Sequence, residues 1–235
     1  MLTNNLLLLG SVVFIFGAVL VATRAFGKAG LYCFSAVAMV VANIEVMLLI
    51  DAFGMEQTLG NVLFASTFLV TDILSECAGK KAAGKAVGVG LFTCAFFLLL
   101  SQSWLLYVPS VNDTVAPAFA TVFGNTPRMM LASFGVYAVS QIFDVWLYHR
   151  WWDLTARLTG SRERFLWLRN TGSTLVSQLI NTVLFTALAF WGTYDLATLA
   201  SIALSSYVIY IATSLLDTPA VYLARRIWRK REAAV

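Results

Sequence analysis

Two carboxylic acids set the first constraint. In Thr71-Asp72-Ile73-Leu74-Ser75-Glu76 they stand four residues apart within an otherwise apolar run, so on a helix both fall on one face, one turn apart. A charged group at bilayer depth costs at least ~2.5 kcal/mol on insertion scales, so its presence there asks for a partner or a function. Glu45, Asp144 and Asp217 pose the same question in other apolar segments. From Arg128, the residues Ser133, Tyr137, Gln141 and Asp144 follow at steps of three to five, a polar stripe along one helix. Ser173, Thr174, Ser177, Gln178, Asn181 and Thr182 make another stripe. Three such stripes facing one another would line an internal cavity for a polar ligand. Small polar residues also join membrane helices, and for Thr71, Ser173, Thr174 and Thr182 that packing role is equally open. Glu45 and Asp217 lie near helix ends, where a snorkelling role stands beside a ligand role.

The elements that must carry these residues follow from composition. Of 235 residues, 60% are hydrophobic and only 12% are charged, and the mean hydropathy is +0.80. An average globular chain has about 25% charged residues. The chain therefore reads as an all-α integral membrane protein, a single transmembrane domain over 1–235 in contact with the lipid bilayer. A net charge of +4 could suggest nucleic acid, but the basic residues gather in short loops and at the chain end, where they set membrane orientation instead. Cys33, Cys77 and Cys94 form no C-x-x-C pair and read as apolar packing residues, and His149 alone cannot build a zinc site. No cofactor is expected. The first basic residue, Arg24, follows the first apolar run, so residues 6–23 read as a membrane helix and not as a signal peptide.

A bilayer core takes about 20 apolar residues as a helix. Seven segments qualify, at 6–23, 30–50, 60–78, 86–108, 128–148, 172–192 and 198–222. Long continuous apolar runs do not suit the short alternating strands of a membrane barrel. Loop charges alternate in sign: Arg24 and Lys28, then Asp51 and Glu56, then Lys80, Lys81 and Lys85, then Asp113, then Arg150, Arg157, Arg162, Arg164 and Arg169, then Asp195, then Arg225 through Arg231. Positive-inside places the N-terminus outside and the C-terminus in the cytoplasm. Trp151, Trp152, Trp167 and Trp228 flank helix ends as interfacial anchors. The 149–171 connection reads either as an interfacial helix or as a solvated charged loop.

Competing chemistries find little machinery. Gly79-Lys80-Lys81-Ala82-Ala83-Gly84-Lys85-Ala86 imitates a phosphate-binding loop, but Ala86 stands where a Ser or Thr would meet magnesium, and a helix precedes it instead of a strand. No H-E-x-x-H or G-x-S-x-G occurs, and an aspartyl pair made of Asp72 and Asp144 lacks the expected G-x-G-D signature. The chain reads as a non-enzyme.

Several dispersed motifs resemble the queuosine precursor transporters, a family also grouped with vitamin uptake transporters. Thr71-Asp72 through Glu76 to Gly79-Lys80-Lys81 is similar to the family's T-D-x-x-x-E-x-x-G-K-K block, and Arg128, Ala132-Ser133, Gln141 and Asp144-Val145 to its R-x-x-x-A-S…Q-x-x-D-V helix. Leu168-Arg169-Asn170 with Ser173-Thr174, Ser177-Gln178, Thr182 and Phe185 resembles the next block, and Asp217-Thr218-Pro219 with Tyr222 the last. The resemblance covers about residues 30–225. It implies an inner-membrane carrier of 7-deazaguanine bases, the 7-cyano or 7-aminomethyl precursors. Asp72 or Glu76 would read the base edge, Gln141, Asp144, Gln178 and Asn181 with Glu45 would complete the polar frame, and Phe68, Tyr137 and Phe185 are stacking candidates. Arg128, Arg169, Asn170, Ser133 and Asp217 would orient acids or close the site. The family usually has Asp where this chain has Asn181, and commonly Lys near Ile209 or Tyr210. In size and helix number the family also resembles the substrate-binding subunits of importers driven by a separate energy-coupling ATPase module. Such an ATPase partner and a homo-oligomer are both compatible with the sequence.

Overall fold

The structure, a computed structural model, describes residues 2–124, 127–161 and 163–233. Its helices are α1 (Leu2–Phe26), α2 (Lys28–Glu45), α3 (Asn61–Ala78), α4 (Lys80–Trp104), a short α5 (Ala116–Gly124), α6 (Pro127–Thr159), α7 (Leu166–Phe190) and α8 (Leu196–Glu232), with strands β1 (Leu49–Ala52) and β2 (Met55–Thr58) between α2 and α3. Among the described residues six helices, α1 to α4, α7 and α8, are long and apolar enough to cross a membrane. Helix α6 is the remaining long one, its apolar run interrupted by Gln141 and Asp144. The all-α membrane bundle expected from composition is what forms.

α3 is the central helix. Fourteen of its eighteen residues are buried, Asn61 through Ser75 with the exception of Phe64, and it packs on α1, α2, α4, α6 and α8. α7 lies between α6 and α8. The outer helices instead turn Leu6, Val13, Phe14, Phe92 and Leu99 outward, the surface a hydrocarbon solvent would cover.

Boundaries differ from the sequence expectation in four places. The 30–50 segment ends as a helix at Glu45, and Leu49 and Ile50 enter an antiparallel hairpin whose register pairs Leu49 with Thr58 and Asp51 with Glu56. At the hairpin tip Phe53 and Gly54 both have positive φ, as a type I′ turn requires. The side-chain oxygen of Asn5 accepts from the Phe53 N–H at 2.7 Å, fixing the tip to the start of α1. Neither reading of 149–171 holds. The bundle helices simply continue, α6 to Thr159 and α7 from Leu166, leaving a short turn; Arg162 lies outside the described residues. α4 begins at Lys80, directly after Gly79, whose φ of 82° favours glycine. α8 runs 37 residues, about 55 Å at 1.5 Å per residue, well beyond a hydrocarbon core of about 30 Å.

The two ends of the bundle differ in charge. One gathers Arg24, Lys28, Lys80, Lys81, Arg157 and the end of α8, where the Arg231 guanidinium donates to the Arg24 carbonyl at 2.9 Å. The other holds the hairpin, α5 and Asp195, which caps α8 by accepting from the Thr198 N–H at 3.3 Å. Hydrogen bonding from Thr198, from its side chain first and its backbone N–H second, holds the Asp195 carboxyl below its ordinary range.

Candidate functional site

Helices α3, α6, α7 and α8 enclose a column of polar side chains with a sealed level, a buried acid level and an open cleft.

The seal is at the basic end. Glu76, in the last turn of α3, accepts from Arg169 of α7 through Nη2 at 2.7 and 2.9 Å and through Nε at 3.1 Å. Tyr148 of α6 donates its hydroxyl to the same carboxylate at 2.9 Å, and Arg225 of α8 stands 3.4 Å away. The Arg169 guanidinium also lies over the Trp152 ring, 4.4 Å from its centre, and donates to the Arg164 carbonyl at 2.9 Å. One carboxylate thus ties four helices. Of the two arginines expected to orient acids or close the site, Arg169 lies on this carboxylate and Arg128 does not. Arg128 sits at the opposite end, donating to the Leu188 and Trp191 carbonyls at 2.9 and 2.6 Å and so satisfying the C-terminus of α7.

The middle level holds Asp72, Asp144 and Asp217, each 0–1% exposed. They stand on α3, α6 and α8 respectively, three buried carboxyls with no basic side chain bonded to any of them among the described residues. Thr174 donates to Asp72 Oδ2 at 3.0 Å, while Asp72 Oδ1, both oxygens of Asp144 and Asp217 Oδ1 have no partner. Ser173 and Ser177 adjoin Asp144, yet their hydroxyls donate to the Asn170 and Ser173 carbonyls at 3.2 and 2.8 Å. Both amide atoms of Gln178, Asn170 Oδ1 and the hydroxyls of Ser75 and Ser214 are also buried and unpartnered. Buried polar groups are nearly always paired, so a polar ligand entering here would meet donors and acceptors that the protein leaves unused. Gln141 is not part of that deficit: its amide donates to Thr67 at 2.9 Å and accepts from Thr71 at 3.2 Å, locking α6 to α3.

Above this level a cleft with about 50 Å³ of free space is lined by Asn43, Asn61, Phe64, Ser133, Asn181, Phe185 and Tyr210. It shares Val46, Thr58, Phe190, Ile202 and Ser206 with a wider vestibule of about 570 Å³ beneath the hairpin and α5. Asn181 is therefore the link, on the cleft wall and one turn from Gln178. Tyr210 donates to Asn61 Oδ1 at 3.2 Å, and Ser140 to Asn181 Oδ1 at 3.3 Å. Phe68 and Tyr137 are fully buried, both edge-on to Phe64, and Phe185 faces the cleft directly. Glu45, the last residue of α2, is half-buried and lines neither space.

The sequence alone does not single out Asn43, Asn61, Tyr148 or Ser214, and it marks Tyr210 only through the lysine common near that position in the resembled family. Asn43 and Asn61 carried a usable signal, amides in apolar surroundings. Tyr148 looked like another aromatic at a helix end. Among the described residues no group of three or more His, Cys, Asp or Glu side chains is arranged to hold a metal ion.

A helical bundle with an apolar exterior, a polar core, an opening at one end and an ion-paired seal at the other has the architecture of a multi-pass membrane transporter. Residues 58–224 match the family described as "Putative vitamin uptake transporter". The chain is 39% identical over 209 residues, 89% of each chain, to the "Probable queuosine precursor transporter" of Bacillus subtilis (strain 168). It is 30% identical over 154 residues to the "Queuosine precursor transporter" of Escherichia coli (strain K12), covering 66% of this chain and 64% of that one. The chain belongs to this transporter family and is a multi-pass protein of the inner membrane. No solved structure matches it.

Proposed function

We propose that the protein carries queuosine precursors, 7-cyano- or 7-aminomethyl-7-deazaguanine, across the inner membrane as one transmembrane domain. The observation that carries this reading is the unfilled hydrogen-bonding capacity around Asp72 and Gln178, at the foot of a cleft with aromatic walls. A guanine-like edge presents a ring N–H and an exocyclic NH₂, which a carboxylate accepts together, and its carbonyl needs a donor such as an amide. Asp72 supplies the first and Gln178 with Asn181 the second, while Phe185 offers a ring face to the base. Glu76, with Arg169 and Arg225 on it, acts as the cytoplasmic gate and not as a base contact. The positive-inside rule puts the ion-paired end in the cytoplasm and the vestibule outside.

The test is binding of labelled 7-cyano-7-deazaguanine to the purified protein, with riboflavin and biotin as controls. Saturable binding of the deazaguanine alone is the expected result; saturable binding of a vitamin with no response to the deazaguanine would assign another cargo. Uptake by cells expressing this chain without an ATPase partner separates an autonomous carrier from the binding subunit of an energy-coupling importer. The autonomous carrier is favoured by the gate, because the chain closes its own cytoplasmic end through its own helices.

A further inference from the structure

We infer that Asp144 and Asp217, beside the base-reading Asp72, bind the proton that drives the base inward, so that the carrier is a proton symporter. The inference rests on the reading above that the cargo is a deazaguanine base.

Among the described residues the three acids have no counter-charge. On α3 the neighbouring ionisable group is Glu76, on α6 Tyr148, on α7 Arg169 and on α8 Arg225, and both arginines are engaged by Glu76. The remaining charged groups of the packed helices lie toward the ends: Arg24, Lys28, Lys80, Lys81, Lys85, His149, Arg150, Asp153, Arg157 and the series from Arg226 to Glu232 at the basic end, Glu45 and Arg128 at the other. Nor do protein donors make up the deficit. The hydroxyls beside Asp144 are turned to backbone carbonyls, leaving both its oxygens unpaired. A second observation is independent of the acids: Gln178, 1% exposed, has neither amide atom paired, one turn from the Thr174 that holds Asp72.

Three carboxylates this dry, with oxygens left unpartnered, cannot all be ionised. A proton on one creates the O–H donor that another lacks, the arrangement paired carboxylates adopt when they share a proton. Among the described residues no grouping of three or more His, Cys, Asp or Glu side chains that could hold a metal ion competes for the position.

Binding of the base is linked to that proton. To accept two N–H groups from the base, Asp72 must be ionised. A proton shared between Asp72 and Asp144 then resides on Asp144, within reach of Asp217. Base and proton therefore occupy the site together, each favouring the other. Asp217 is on the gate side, next to Thr218, which bonds Asn170 and Thr171 at 3.2 and 2.8 Å. Pro219 leaves the Leu215 carbonyl without its helical donor, so α8 is weakened beside Asp217. When the Glu76 seal parts, the proton leaves Asp217 for the cytoplasm and the base leaves Asp72.

The full-length protein in proteoliposomes tests this with labelled 7-cyano-7-deazaguanine. Exchange of labelled for unlabelled base reports the carrier alone. An imposed gradient of about one pH unit, acid outside, should drive accumulation toward about tenfold and a protonophore should abolish it. Asp217→Asn should lose the pH-driven accumulation, with residual exchange showing that the variant is folded. Wild-type exchange without pH-driven accumulation, or accumulation driven by sodium alone, overturns the coupling and leaves the cargo assignment standing. Absence of exchange fails the cargo assignment instead. In that event infrared absorption decides on the proton site: a protonated carboxyl band at neutral pH, weakened in Asp144→Asn or Asp217→Asn, supports it. A wild-type spectrum without that band, or a band unchanged in both variants, overturns it.

Discussion

Arg169 grips Glu76 through two guanidinium nitrogens, at 2.7 to 3.1 Å, where neither side chain is more than 2% exposed. Removing one partner of a buried pair leaves the other charge uncompensated and costs about 3–5 kcal/mol. Glu76→Gln should therefore lower expression and the thermal unfolding temperature of the detergent-solubilised protein. Because Tyr148 and Arg225 lose the same anchor, Arg169→Lys, which keeps charge but not the fork, should cost less. An unfolding temperature equal to wild type in Glu76→Gln would remove the gate from this account.

Asp72 sits one turn away with the opposite character, one oxygen held by Thr174 and the other free. Asp72→Asn keeps the shape and exchanges an acceptor for a donor. Loss of the charge-assisted bonds to the base should cost at least ~1.5 kcal/mol, about tenfold in affinity, with little change in stability. Equilibrium binding of the labelled base by both variants separates the two acids: affinity should fall in Asp72→Asn and fold stability in Glu76→Gln. Wild-type affinity in a folded Asp72→Asn would move base recognition to Asp144 or Gln178.

That separation was not visible in the sequence. Spacing placed Asp72 and Glu76 on one helix face, which the fold confirms, but could not say that residues 93 and 149 positions further on, Arg169 and Arg225, would both close on Glu76. The stripes of α6 and α7 were legible because acids and amides in apolar runs stand out. Their partners were not, since Gln141 spends its amide on Thr67 and Thr71 through tertiary contact. Residues 46–50 read as helix because a short apolar run has no period to distinguish it from a strand. Only the turn at Phe53-Gly54 reveals the hairpin.

Asn181 and Tyr210 share the cleft, and the Tyr210 hydroxyl lies within hydrogen-bonding influence of the Asn181 side chain. Asn181 stands where the resembled family usually has an acid, and Ile209 or Tyr210 near where it commonly has a lysine; of those two, Tyr210 lines the cleft with Asn181, so a neutral pair stands there. Asn181→Asp alone would bury a charge without a partner and should reduce folded yield. Adding Tyr210→Lys should recover it, and a double-mutant cycle should give coupling of at least about 1 kcal/mol. Additive effects would mean that the two positions do not act as a pair.

The charge asymmetry of the bundle predicts its orientation. In a cysteine-free background, Asn112→Cys in the loop before α5 should react with a membrane-impermeant maleimide in intact cells, and Ser161→Cys between α6 and α7 only after permeabilisation. The reverse pattern would place the vestibule in the cytoplasm and make the Glu76 seal an outer gate.

Helix α4 contributes to the site through close approach of its backbone as well as through Cys94, which accepts from Asn43 at 3.7 Å. A Cβ built on Gly90 would lie 2.2 Å from the Tyr137 hydroxyl and 2.8 Å from the ring carbon bearing it, and Tyr137 is fully buried against Phe64. The ring has no free volume to retreat into without moving Phe64, which lines the cleft. Gly90→Ala should therefore destabilise by about 1–3 kcal/mol, although alanine is the better helix former. Pairing it with Tyr137→Phe removes the clashing oxygen and should restore most of the loss. Thermal unfolding of the four proteins measures both effects, and a Gly90→Ala variant more stable than wild type would show that α4 and α6 are less tightly packed than this contact requires.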